Sequence, residues 1–123
     1  MLITNKSGGV IAEVRSAGVR PRRGVSGQWV FEAQTDEHRY MDADEAKTAL
    51  TALTRRAKSI ANALAKHPGA ALFPSQSRGI EVGMHGSADK TFYLYYTVLF
   101  RWSGSKAEVK RLGDKLAARA YKD

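Results

Sequence analysis

The stretch KTFYLYYTVLFRW, residues 90–102, decides how the rest of this chain is read. Successive side chains of a β-strand point to opposite faces, so Phe92, Leu94, Tyr96, Val98, Phe100 and Trp102 line one face. Thr91, Tyr93, Tyr95, Thr97, Leu99 and Arg101 line the other. The first row has the composition of a core. The second is too polar to be buried without partners and too aromatic for a plain solvated face. The expectation is a sheet with one packed face and one face that needs a partner or water.

Two segments have the periodicity of the helices that would do the packing. Asp42 and Glu45 stand at capping-box spacing, and Ala46, Leu50, Leu53, Ala57, Ile60 and Leu64 recur at three and four residues until KHPG, residues 66–69, ends the element. Ser105 and Glu108 repeat the capping spacing ahead of Val109, Leu112, Leu116 and Ala120. Strand patterns occupy residues 2–4, 10–15, 28–34, a short run at 39–41, and 80–85, the last linked to the opening strand through GSADK at 86–90 as a hairpin. Gly8 and Gly9 suit a turn between the first two strands. Residues 16–27, SAGVRPRRGVSG, read as a basic loop, and residues 69–79 as a connection. The order ββββ-α-ββ-α implies an α+β fold, an antiparallel sheet with two helices packed on one face, in a single domain over residues 1–123.

Charge narrows the function class. Twenty Lys and Arg against 12 Asp and Glu leave a net charge of +8, a field that favours polyanionic partners, nucleic acid foremost. The absence of Cys removes disulfides and thiolate metal sites and suits a reducing, cytoplasmic location. No apolar run approaches the roughly eighteen residues that span a bilayer, and no basic then apolar leader is present, so a soluble protein without a membrane partner is expected.

Catalytic signatures are missing. GVSGQ, residues 24–28, lacks the second glycine of a nucleophile elbow, and Gly79, Gly83 and Gly86 match neither a dinucleotide fingerprint nor a phosphate loop. His38, His67 and His85 lie on separate elements. Asp36, Glu37, His38, Asp42 and Asp44 gather in TDEHRYMDAD, and read as a turn and an acidic helix N-terminus rather than a cation site. No catalytic residue, metal or cofactor is expected, and the chain reads as a non-enzymatic binding protein.

The candidate nucleic-acid contacts follow from residue type. Arg20, Arg22 and Arg23 would hold phosphates from the basic loop, and Tyr93 and Tyr95 would stack bases, with Arg101 on the same strand face. Arg55 and Lys58 on the polar face of the first helix, and Arg111 and Lys115 on the flank of the second, would add phosphate contacts. Two alternatives stay open. One is an interaction or inhibitor protein of the kind that phage and mobile elements direct at a host protein, with the tyrosine row as a protein contact or homodimer interface. The other is a small metal-independent ribonuclease using His85, Tyr93, Tyr95 and Arg101 as acids, bases and phosphate clamps.

Overall fold

The computed structural model describes residues 1–73, 79–86 and 91–123. Within them the chain runs β1 (Leu2–Thr4), β2 (Val10–Pro21), β3 (Gln28–Thr35), α1 (Ala43–Ala65), β4 (Ala70–Leu72), β5 (Ile80–Gly86), β6 (Phe92–Trp102) and α2 (Lys106–Tyr121). It is an α+β fold. Every strand pair is antiparallel, in the order β1-β2-β3-β6, and β4 and β5 both pair with the far edge of β6, end to end.

Both helices start at the capping residues their spacing marks, α1 with a full capping box and α2 with the N-cap bond of Ser105. The Glu45 N–H donates to Asp42 Oδ1 at 2.8 Å and the Asp42 N–H to Glu45 Oε1 at 3.4 Å, starting α1. The Glu108 N–H donates to Ser105 Oγ at 3.2 Å at the start of α2. The helices then cover one face of the sheet, α1 over β4, β5 and β6, and α2 over β2. In β6, Leu94, Tyr96, Val98 and Phe100 are fully buried, flanked in β3 by Phe31 opposite Val98 and Ala33 opposite Tyr96. Each large apolar side chain so buried stabilises the fold by about 1.5–3 kcal/mol, which makes this face of the sheet the anchor of the core. Ala49, Leu53, Ala57, Ile60, Ala61 and Leu64 of α1 and Val109, Leu112, Leu116 and Ala120 of α2 meet it. Ala46 and Leu50 sit at the rim of α1, half-buried, while Ala49 and Ala61 take inner positions. The close seat of α2 depends on Gly113, where a Cβ would stand 2.5 Å from Val19 Cγ2.

Two local expectations are corrected. Residues 39–41 form no strand; His38 alone bridges to Phe92 through paired backbone bonds of 2.7 and 2.9 Å, and Tyr40 is exposed. The chain has already left the ladder at Asp36, whose N–H donates to Glu13 O at 3.0 Å while its Oδ1 accepts from the Glu13 N–H. The short strand is instead Ala70–Leu72, paired with the Trp102 end of β6 within what reads as a connection. The basic segment also is not a loop through residue 27. β2 continues to Pro21, because Ala17 and Val19 face the core and the ladder of β3 pairs with it, Ser16 opposite Gln34, Gly18 opposite Glu32 and Arg20 opposite Val30. Only residues 22–27 turn the chain. The expected turn at 87–90 with Lys90, and residues 74–78 of the expected connection, lie outside the described residues. Among the described residues no helix is long and apolar enough to cross a membrane.

Candidate nucleic-acid interface

The second row of β6 lies on the face that neither helix covers. Register assigns its neighbours: Gln34, Tyr95 and Gly83 stand side by side across β3, β6 and β5, then Glu32, Thr97 and Glu81, with His85 beside Tyr93. The face is concave. It encloses a depression of about 850 Å³, with Arg20, Arg22 and Arg23 at the end near Leu99, Glu32, Thr97 and Glu81 on the floor, and His85, Tyr93 and Tyr95 at the other end.

Four of the polar side chains here, Arg20, Arg22, Glu32 and Tyr95, are held by neighbours. Arg22 Nη1 donates to Gln28 Oε1 at 2.6 Å, and its backbone N–H to Gln28 O at 2.8 Å, so the base of the arginine cluster is tied to the ladder. Arg20 Nη2 lies 3.8 Å from Glu32 Oε2, and Gln34 Nε2 donates to Glu32 Oε1 at 3.1 Å. The Tyr95 hydroxyl donates to Glu81 Oε1 at 2.6 Å, and this bond to a carboxylate pushes the phenol up to about 12 by favouring its protonated form. Gly83 makes room for that ring, since a Cβ there would lie 3.2 Å from Tyr95 Oη. Tyr93 meets Tyr95 edge-on, with centroids 6.3 Å apart, and the His85 ring lies 5.3 Å from Tyr93.

Of the residues expected to make the interface, Arg20, Arg22, Arg23, Tyr93 and Tyr95 converge on the depression. Arg101 shares their face but pairs with Gln28 and Ala71, six residues along β6 from Tyr95, about 20 Å at the rise of a strand. Its guanidinium lies over the Phe73 ring, 4.8 Å from the centroid, and it does not line the depression. Arg55 and Lys58 are on the helix side, in a separate hollow of about 580 Å³ between α1 and α2 that also holds Ser59, Asn62, Lys66 and Arg119. Arg111 and Lys115 are exposed on α2 and line neither hollow. His85, Tyr93 and Tyr95 come together, as a ribonuclease would need, without Arg101. Among the described residues no three His, Cys, Asp or Glu side chains converge as metal ligands.

Glu32, Glu81 and Gly83 also shape the depression, and no motif along the chain marks them for it. Strand parity puts both glutamates on the uncovered face, but only the pairing of β3 and β5 with β6 places them on either side of Thr97. Comparison with protein-family models, curated proteins and solved structures gives no match for this chain.

Proposed function

We propose that the protein binds single-stranded nucleic acid, DNA or RNA, in the concave sheet face, without catalysing a reaction on it. The observation that carries this reading is the arrangement of one depression: three arginines at one end and the Tyr93–Tyr95 pair with His85 at the other. Phosphates would lie along Arg20, Arg22 and Arg23, and bases against the rings, the division of labour that sequence-tolerant single-strand binders use. A duplex keeps its bases stacked inside and offers the rings nothing, so single strands are the preferred ligand.

Fluorescence anisotropy with labelled oligonucleotides at low salt tests it. Single strands are expected to bind more tightly than duplex, with affinity falling as salt rises because neutralised phosphates release counterions. Tyr93→Ala with Tyr95→Ala is expected to weaken binding by about 1–3 kcal/mol per lost stack while the protein stays folded, with only the drop in thermal midpoint that losing the exposed Tyr95–Glu81 bond brings. Failure of DNA and RNA single strands to bind at low salt would overturn the proposal. RNA is expected to be recovered intact; cleavage abolished by His85→Ala would assign a ribonuclease instead.

A protein partner draws on a different observation. Among the described residues the outer edge of β5 has no strand beside it, and Met84 on that strand is exposed. Such an edge accepts a strand from another chain, as an inhibitor of a host protein or a homodimer would supply.

A further inference from the structure

The floor of the depression holds two carboxylates, where a groove built only for a polyanion would have none. Glu32 and Glu81 flank Thr97 from opposite sides, their Cα atoms two strand spacings apart, about 10 Å. They differ in what they have left to offer. Glu32 is engaged at both oxygens, Oε1 by Gln34 and Oε2 by Arg20. Glu81 is engaged at Oε1 alone, by the Tyr95 hydroxyl, and among the described residues its Oε2 has no partner. The same bond fixes the carboxylate beside the aromatic end, so a ring lying on Tyr93 or Tyr95 would meet it edge-on.

We infer that Glu81 reads the base, selecting guanine over thymine or uracil at the position beside the tyrosines; this rests on the single-strand reading above. An ionised carboxylate only accepts hydrogen bonds, with about four lone-pair sites, so Oε1 can take a second donor beside Tyr95 while Oε2 takes a first. Guanine presents N1–H and N2–H side by side, matching the two oxygens. Cytosine and adenine present one exocyclic amine each. Thymine and uracil present a single N3–H between two carbonyls, which would face the carboxylate as like partial charges and be rejected. Glu32, neutralised by Arg20, holds the arginine end and does not read.

The test uses the full chain and an oligothymidylate as the neutral scaffold, compared with the same strand carrying one central guanine or one inosine, which keeps N1–H and lacks the N2 amine. Guanine is expected to tighten binding roughly tenfold, within the range of a bidentate base contact, and inosine by less. Glu81→Gln keeps an acceptor for the Tyr95 hydroxyl, and it is expected to abolish the guanine preference, the guanine, inosine and oligothymidylate strands then binding alike. Glu32→Gln is expected to keep the preference. Equal binding of all three strands by the parent protein would overturn the assignment and leave single-strand binding standing. A guanine preference that survives Glu81→Gln would overturn it too. If no strand binds, the single-strand reading falls and this inference with it.

Discussion

At the scale of single residues, neighbouring tyrosines on one strand carry opposite burdens. Tyr95 donates to Glu81 in the open depression, and its phenol is raised from 10.0 to about 12. The donating form is the protonated one, so the native state retains a proton that the unfolded chain releases near pH 10.0. The bond's contribution to stability is therefore complete below that pH and is lost as pH climbs toward about 12. Ultraviolet titration is expected to show the Tyr95 phenolate appearing well after those of the exposed Tyr40 and Tyr121, and Glu81→Gln is expected to bring it down toward the ordinary value. Tyr96 faces the other way. Burial pushes its phenol up, and Oη is buried with no hydrogen-bond partner among the described residues. An unpaired buried hydroxyl costs about 1–3 kcal/mol, so Tyr96→Phe is expected to stabilise the protein by about 1 kcal/mol, read as a higher urea midpoint. A lower midpoint would mean that the hydroxyl is satisfied in solution.

At the scale of elements, the seat of α2 on β2 is the contact most sensitive to one atom. Gly113→Ala would add about 1 kcal/mol of helix propensity, but its Cβ would meet Val19 Cγ2 at 2.5 Å, and the branched Val19 has few rotamers to escape into. Overpacking costs about 1–3 kcal/mol, so net destabilisation is expected, and Val19→Ala in the same chain is expected to recover most of it. Additive losses in the double variant would show that the two residues do not touch. Basic residues also divide at this scale. Arg56 of α1 donates from Nη1 to the Arg119 and Lys122 carbonyls at the end of α2, where a cation is favoured by the helix dipole. It is a structural cation, and charge alone would not have separated it from Arg55.

For the whole molecule, assembly follows from where the sheet ends. If the concave face takes a ligand as proposed, a homodimer would form through the outer edge of β5 rather than through the tyrosines. Light scattering at micromolar concentration is expected to show a dimer that Met84→Lys reduces to monomer, since a lysine on an edge strand opposes strand addition. A parent protein that stays monomeric would remove the edge as a self-association surface.

Much of this was legible along the chain because amphipathic period is a local property. KTFYLYYTVLFRW announces a packed row and an uncovered tyrosine row through alternation alone, and both helices announce themselves through capping residues and apolar spacing. The arginine cluster and the tyrosines were visible as residue types. The tertiary structure decided what they share. Register between strands far apart in sequence set Glu32 and Glu81 around Thr97 and drew Arg20 into β2, while it left Arg101 at the far end of β6 over Phe73. Periodicity assigns a side chain to a face. Its neighbours on that face depend on pairing and curvature, which arise only when the core closes and which no short window of sequence contains.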